Sequence, residues 1–253
     1  MKEIKYEKLT LEYSESESVL TVTDCEKDAV SVVIPKEIDG TPVVAIGEKA
    51  FYGCDQLVSV ALPENEEFFS GEKALFGFDI GDGAFAGCRS LKLAKLPLSL
   101  STIGHGAFRE CESLEEIFIP DCYVGPYAFC RCYSLKRVNP IDVISDGVFS
   151  HCKSLEVFPV KDGTDTIGED AFEHCYALTN AVIPASVERI EGLAFRNCRG
   201  LKTVTFLDPD DWYGSSRYSS ISDYELDLSA PAHNAYCLRT MDFDDGCLCW
   251  YKK

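Results

Sequence analysis

The sequence predicts an α/β repeat fold: a solenoid with a parallel β-sheet on one face, short helical turns on the other, and a cap at each end. Two observations lead to this prediction. A pair that is usually Ala-Phe is followed by Cys three residues after the Phe and by Leu three residues after the Cys, and this frame returns along most of the chain. A short alternation of apolar residues, usually ending in Pro, then follows the Leu. Units of this kind cannot bury their apolar face alone and do so by stacking on their neighbours.

Seven repeats are recognisable within residues 46–206. In each one the Phe and the Cys lie three positions apart, about one helical turn, so both are expected on the inside of the coil. After a first, longer step the Phe recurs every 20 to 23 residues. The predicted structural ladder consists of Phe51, Phe85, Phe108, Phe129, Phe149, Phe172 and Phe195, with Cys54, Cys88, Cys111, Cys132, Cys152, Cys175 and Cys198.

The Cys row argues against a disulfide framework, although the chain has 13 cysteines. A residue that recurs once per coil lies about one strand separation, roughly 4.8 Å, from its counterparts. Packing of free thiols explains such a row better than bridges do, because free Cys behaves as a small buried hydrophobe. Ligands in a straight row do not converge on a tetrahedron either, so no metal is expected there.

Both ends of the repeat region are expected to be capped. In residues 1–45, the segments Leu9–Tyr13 and Val19–Thr23 alternate as strands do, and the acidic stretch between them has the composition of a turn. Residues 207–253 are expected to form the C-terminal cap, with a short helix through Leu238. End repeats need such covering elements because their core otherwise stays exposed.

The outward positions of the predicted strands form the main candidate binding surface. Phe118 is flanked by Lys95, Glu116 and Arg137, which is the arrangement of an apolar anchor with a polar surround. The alternative is an ordinary solvated sheet face. The candidate partner-binding residues are Leu93, Lys95, Glu116, Phe118, Arg137, Asn139, Val157, Asn180 and Val182.

An insertion at residues 64–79 lengthens the first step of the Phe row. Insertions in repeat proteins emerge as loops, often on the binding face. This one is unusually apolar for a loop, so it is a second candidate contact surface; the alternative is that its rings fold back on the repeats. The four rings are Phe68, Phe69, Phe76 and Phe78.

The net charge indicates which classes of partner to expect, and the N-terminal sequence indicates the expected cellular location. The net charge is −18, from 42 acidic and 24 basic residues, and such a surface repels nucleic-acid phosphates and anionic lipids. A monomer with a protein partner is expected, without nucleic acid or membrane. The N-terminus has no apolar signal region, so the expected location is cytoplasmic if Met1 is the native start, with the cell surface or secretion as the alternative.

The sequence carries no enzyme signature. His151 and His174 each precede a ladder Cys, but neighbours on a turn point in different directions and a buried thiol stays protonated. Cys237, Cys247 and Cys249 lie close in sequence and lack a fourth ligand for a metal ion. No phosphate loop or nucleophile elbow is present. We therefore expect no catalytic residue, no metal and no cofactor.

The repeat unit resembles that of the BspA-type leucine-rich repeat family, in which Ile-Gly-x-x-Ala-Phe-x-x-Cys-x-x-Leu-x-x-Ile-x-Ile-Pro recurs. The resemblance covers about Val32–Phe206, and the tail around Trp212 and Trp250 is similar to the closing segment of bacterial members. It implies a right-handed solenoid with a parallel sheet on one face. Members are mostly bacterial or protist proteins, often at the cell surface, that bind other proteins, and the family has no catalytic residues to transfer. The expected function is a protein-interaction scaffold; the alternative is a surface adhesin for a host matrix protein or glycan.

Overall fold

The computed structural model describes residues 2–63, 77–216, 224–225, 228–240 and 248–252. Across these ranges the chain consists mainly of short strands joined by turns, with little helix. The strands are β1 Lys2–Tyr6, β2 Leu9–Ser14, β3 Val19–Cys25, β4 Ser31–Val33, β5 Glu37–Ile38, β6 Thr41–Ile46, β7 Ser59–Ala61, β8 Phe78–Ile80, β9 Leu93–Lys95, β10 Leu100–Ile103, β11 Glu116–Ile117, β12 Tyr123–Val124, β13 Arg137–Val138, β14 Thr166–Ile167, β15 Asn180–Ile183, β16 Arg189–Ile190, β17 Thr203–Phe206, β18 Trp212–Ser216, β19 Tyr224–Glu225 and β20 Leu248–Lys252; the described helix is α1, Pro231–Thr240.

The repeats pair through two separate sets of parallel ladders. One set runs β3, β6, β8, β10, β12, with β14 and β16 paired further along. The other consists of β4, β7 and β9, then β11 with β13, then β15 with β17. The prediction of one parallel sheet on one face is therefore wrong. Most repeats have an extended piece on either side of the Pro, and each piece pairs with its counterparts in neighbouring repeats. Pro lies between the two pieces because it has no N–H to continue a ladder.

The predicted short helical turns are hydrogen-bonded turns rather than regular helix in the described repeats. Within one such turn, the Cys54 N–H donates to the Phe51 carbonyl at 3.0 Å. The Phe51 N–H instead donates to the Ala84 carbonyl of the next repeat at 2.7 Å. Because alternate N–H groups bond to the neighbouring repeat, the i to i−4 pattern of an α-helix does not form.

The Phe row forms the centre of the core. All seven ladder phenylalanines and all seven ladder cysteines are fully buried. Neighbouring rings stack along the whole row, with centroids 4.8 Å apart at Phe51 and Phe85 and 5.8 Å apart at Phe149 and Phe172. Each buried ring contributes about 1.5–3 kcal/mol through removal of its apolar surface from water. Offset stacking adds about 0.5–1.5 kcal/mol per pair.

The Gly after the aliphatic residue of the repeat is needed because neighbouring backbones approach closely. A Cβ added at Gly104 would lie 2.7 Å from the backbone nitrogen of Asp82 in the preceding repeat. At Gly125 the same atom would lie 2.8 Å from the backbone nitrogen of His105. Real Cβ atoms do not approach backbone this closely, so the Gly allows the repeats to stack at this spacing.

Additional elements cover both ends of the repeats. At the N-terminus, β1, β2 and β3 pair antiparallel, and β3 then pairs parallel with β6. At the C-terminus, the rings of Trp212 and Trp250 lie 5.0 and 6.0 Å from the Phe206 ring. Asn234 of α1 is buried and donates to the Val204 carbonyl at 3.1 Å. No helix of the described ranges is both long and apolar enough to cross a bilayer.

Candidate functional site

The central candidate surface is a groove, of about 630 Å³, along the outward side of β9, β11 and β13. Within β11 and β13 the pleat points Glu116 and Arg137 outward, because their strand neighbours are buried in the core. These two residues are directly paired across the parallel ladder. Of the predicted binding residues, the structure brings six together here: Leu93, Lys95, Glu116, Phe118, Arg137 and Asn139.

Three large, exposed apolar side chains line the groove. Phe118 is 59% exposed and Leu93 is 58% exposed, although Phe and Leu are among the residue types most often buried. Leu98, which the strand pattern does not select, is 71% exposed and lines the same groove. A Leu directly after the strand-ending Pro was the available sequence signal. Together the three side chains form an apolar patch that water solvates poorly.

Charged and amide groups surround this patch. The Arg137 Nη2 lies 2.7 Å from the Glu116 Oε2, and the bond to that carboxylate raises the pKa of Arg137. Both side chains are exposed, so the pair adds little to stability. Asn139 is used internally: its Oδ1 accepts from the Ile119 N–H at 2.7 Å, and its Nδ2 donates to the Ile119 carbonyl at 2.8 Å. It therefore shapes the groove, and its amide is already occupied.

The remaining predicted surface residues lie outside the groove. Asn180 and Val182 point outward from β15 and are exposed. Val157 is exposed but belongs to a bend rather than a strand. The next residue, Phe158, packs its ring 5.1 Å from the Phe172 ring.

At Phe78 the interpretation of the insertion as a contact surface is wrong, and the alternative, a ring that folds back on the repeats, agrees with the structure. This side chain is fully buried in β8, where it pairs with Leu100 of β10. Phe78 lies two residues before the inward-facing Ile80, so both side chains point to the same, buried side of β8. Phe68, Phe69 and Phe76 lie outside the described residues.

A second polar cluster lies on the turn side of the repeats. The imidazole rings of His151 and His174 stack with centroids 4.3 Å apart, and Glu173 lies beside both. Burial, followed by the neighbouring His174, lowers the pKa of His151. The two histidines were not predicted to lie together. Their separation of 23 residues, one repeat length, was the signal that places them side by side.

The ladder cysteines do not form Cys–His pairs. The Cys152 thiol donates to the Phe129 carbonyl at 3.1 Å, inside the core and away from the adjacent His151 ring. Burial raises the pKa of Cys152 and Cys175 well above the ordinary value, and raises that of Cys88 to about 12. The thiols of Cys88, Cys152 and Cys175 therefore stay protonated at neutral pH and are not nucleophiles. Cys54 differs, because a hydrogen bond with Cys25 lowers its pKa to about 7.

The chain is similar to known repeat proteins in both sequence and structure. A family model described as BspA type leucine rich repeat region matches in six copies, at residues 26–76, 78–176 and 124–224. A leucine rich cell surface protein of Faecalibacterium prausnitzii A2-165 has 27% identity and a TM-score of 0.71, over 91% of this chain and 60% of that one. The chain thus spans about 60% of the length of that relative.

Two further solved structures show the same likeness. The leucine rich repeat protein of T. pallidum has 29% identity and a TM-score of 0.50, over 81% of this chain and 82% of that one. The pneumococcal vaccine antigen PcpA has 19% identity and a TM-score of 0.50, over 84% of this chain and 51% of that one, and is similar in fold alone. No curated protein matches the chain.

Proposed function

The chain belongs to the BspA-type leucine-rich repeat family, and on that premise we propose that it binds a partner protein through the groove of β9, β11 and β13. Leucine-rich repeat proteins are generally interaction or surface proteins and generally not enzymes. The observation that carries the proposal is the exposed apolar group of Leu93, Leu98 and Phe118 inside one groove. The repeats supply the rigid backbone on which that group is held; we propose that they wind as one right-handed solenoid of seven units.

The groove has the composition of a protein interface rather than of a catalytic pocket. A central aromatic ring beside aliphatic groups, with charges at the edge, is the arrangement in which a few residues carry most of the binding energy. Phe118 is the anchor in this proposal. Lys95, Glu116 and Arg137 set the orientation of the partner and the rate of encounter more than the affinity.

The overall charge narrows the class of partner. At −18 the chain repels acidic proteins at long range and attracts neutral or basic ones. Within the groove, the charged side chains are those of Lys95, Arg137 and Glu116, two cations and one carboxylate. We therefore propose a partner with a neutral or basic surface and an apolar side chain that seats against Phe118.

Affinity capture with the whole chain tests the proposal. Phe118→Glu should remove the partner, whereas Val33→Glu, at an exposed apolar position of β4 outside the groove, should retain it. Both variants alter exposed side chains, so their melting temperatures should stay close to that of the wild type. Equal capture by both variants, equal loss in both, or no specific partner for the wild type would each refute binding at this groove.

A second candidate function is adhesion at the cell surface to a host matrix protein or glycan. The observation that favours it is the F. prausnitzii relative, which is described as a cell surface protein. Because the chain spans about 60% of that protein, the location is a proposal for this chain. Protease treatment of intact cells followed by detection of the chain tests the location, and binding to immobilised matrix proteins and glycans tests adhesion. Protection from protease would contradict surface display and favour a cytoplasmic location.

A further inference from the structure

The repeat places one outward row of side chains beside the buried Cys row. The residue before each ladder Cys adopts a left-handed backbone, with φ of 62° at His151 and 60° at His174. Its N–H donates to the next repeat: that of His151 to the Glu173 carbonyl at 2.6 Å, and that of His174 to the Arg196 carbonyl at 2.9 Å. These bonds hold neighbouring members of the row in register. Side chains 23 residues apart are thereby brought into contact.

Two members of this row, His151 and His174, lie close to Glu173, the residue directly before His174. Their ligand atoms all lie within 4.8 Å of each other. The His151 Nε2 is 3.8 Å from the Glu173 Oε2, and the His174 Nε2 is 3.6 Å from the Glu173 Oε1. Two ligands at about 2.0–2.1 Å from a tetrahedral zinc ion lie roughly 3.4 Å apart. The two gaps run to different oxygens of Glu173 and are longer than a hydrogen bond. An ion shared by one atom from each residue therefore draws the three side chains slightly closer together.

The surroundings orient these ligands. Tyr176 Oη lies 2.8 Å from the His174 Nδ1; when that nitrogen donates to the hydroxyl, Nε2 carries the lone pair that can bind an ion. The Asn197 Nδ2, 3.4 Å from this Nε2, competes with the ion for that lone pair. Metal-binding histidines use an outer hydrogen bond of this kind to fix their tautomer. The Ser150 Oγ lies 3.4 Å from the Glu173 Oε2. The side chains are 32%, 14% and 20% exposed for His151, Glu173 and His174, so an ion from solvent reaches a partly enclosed site.

We propose that His151, Glu173 and His174 bind a divalent transition-metal ion of the zinc class. Two imidazoles and one carboxylate suit zinc and its neighbours, whereas calcium and magnesium prefer oxygen ligands alone. Three protein ligands leave a fourth position for water. The ion joins two neighbouring repeats, and the cluster belongs to the turn side rather than to the β9, β11 and β13 groove, so the proposal is independent of partner binding there.

The competing explanation is a metal-free cluster. The Arg196 Nε lies 3.3 Å from the Glu173 Oε1 and neutralises that carboxylate, while the two rings simply stack. A metal ion must displace or share this contact, so we expect weaker binding than at a closed site of four ligands. A rival pair of zinc ligands lies on α1, where the Cys237 Sγ is 3.4 Å from the His233 Nε2. The experiment has to separate the two sites.

Calorimetric titration of the whole chain with zinc chloride, under reducing conditions, tests the proposal. We expect one equivalent of zinc to bind, and at least a tenfold loss of affinity in both His151→Gln and Glu173→Gln. The matched control His233→Gln removes the ligand of the rival site and should bind as the wild type does. Circular dichroism of each variant without metal checks folding, so that loss of binding in either folded variant is interpretable.

Cobalt substitution provides an independent readout. Cobalt bound by imidazole and carboxylate gives d–d bands without the intense thiolate-to-metal charge-transfer band that cysteine ligation produces. We expect such a spectrum, lost in His151→Gln and retained in His233→Gln. Absence of zinc binding to the wild type, unchanged affinity in His151→Gln, or a thiolate band that disappears in His233→Gln would each overturn the proposal.

Discussion

The thiol of Cys132 donates a hydrogen bond to the carbonyl oxygen of Phe108, and its Sγ lies 3.2 Å from that oxygen. The same carbonyl accepts the Cys111 N–H of its own turn, also at 3.2 Å. This arrangement recurs from Cys88 to Cys198, so each of these six thiols joins its repeat to the Phe of the one before. The first ladder thiol, that of Cys54, instead lies 3.9 Å from the Cys25 carbonyl oxygen. The equivalent Sγ to oxygen distances are 3.1 Å for Cys88, 3.3 Å for Cys111, 3.1 Å for Cys152, 3.2 Å for Cys175 and 2.9 Å for Cys198.

Two replacements of Cys132 distinguish the contribution of this hydrogen bond to stability from the contribution of packing by the sulfur. Cys132→Ala loses both the donor and the sulfur, and we expect it to lower the free energy of unfolding by about 1–3 kcal/mol. Cys132→Ser keeps a donor towards Phe108 and should cost less. Urea unfolding of both variants measures the difference. A larger loss in the Ser variant than in the Ala variant would show that the row serves packing alone.

Truncation of a ladder Phe should be far more costly than truncation of a groove Phe. Phe149 is fully buried and stacks on rings on both sides, at 5.8 Å each. Phe149→Ala should cost about 3–5 kcal/mol, including the cavity. Phe118→Ala removes the same atoms from an exposed position and should change stability by less than about 0.5 kcal/mol. Comparable losses in the two variants, measured by denaturant unfolding, would contradict the assignment of Phe118 to a binding surface.

The repeat frame predicts the ladder and the facing pairs of the outward rows well, because both follow from period and register. Glu116 faces Arg137, and Asn180 faces Thr203, as the equal spacing of their repeats implies. The same spacing also places His151 beside His174, but a residue next to a buried Cys on a turn was assigned no partner. The contact between the two histidines joins neighbouring repeats, so the pattern within a single repeat does not predict it.

The sequence predicts the number of sheets poorly because alternation does not say which strands pair. Two short extended pieces per repeat are compatible with one sheet or with two ladders, and the backbone hydrogen bonds decide between them. Phe78 shows a related limit. It lies at the end of the insertion and was predicted to be a loop residue, yet it pairs in β8 and is buried. Leu98 was not predicted as a surface contact because it lies after the strand-ending Pro, outside the alternating positions of the strand, although it is exposed.

Asp170 should make stability depend on pH. Burial raises the pKa of Asp170 to about 6, and the nearby Glu173 and Glu169 carboxylates add to the rise. Its Oδ1 is buried and has no hydrogen-bond partner. Because the pKa in the folded chain is above the unfolded value of 3.8, ionisation destabilises the fold, and the stability available below about pH 4 is lost as the pH rises through about 6.

Asp170→Asn should therefore raise the melting temperature at pH 7.5 and leave it unchanged near pH 3.5. Asn tolerates the left-handed backbone of this position, where φ is 55°. The group is half-buried, so solvent screening limits the gain to about 1 kcal/mol or less. Thermal unfolding with a chelator present, followed across this pH range, measures it. A constant difference between variant and wild type at every pH would show that Asp170 does not titrate in this way.

Two glycines of the repeat should differ in how much stability is lost when a side chain is added. Gly104→Ala places a Cβ 2.7 Å from the backbone nitrogen of Asp82, which has to move with its repeat. Overpacking against backbone costs about 1–3 kcal/mol or more. Gly53 has a φ of 65° and open space around its Cβ position, and its counterparts in later repeats, His151 and His174 among them, carry side chains at the same φ.

Gly53→Asn should therefore cost no more than about 1 kcal/mol, since Asn adopts the left-handed region more readily than most residues. The comparison tests close approach of the repeats against backbone conformation as the reason for Gly at these positions. A chain of this size loses about 2–4 °C in melting temperature per kcal/mol, so calorimetry resolves the two variants. If Gly53→Asn proved the more damaging, conformation rather than the distance between neighbouring repeats would explain why the frame requires Gly.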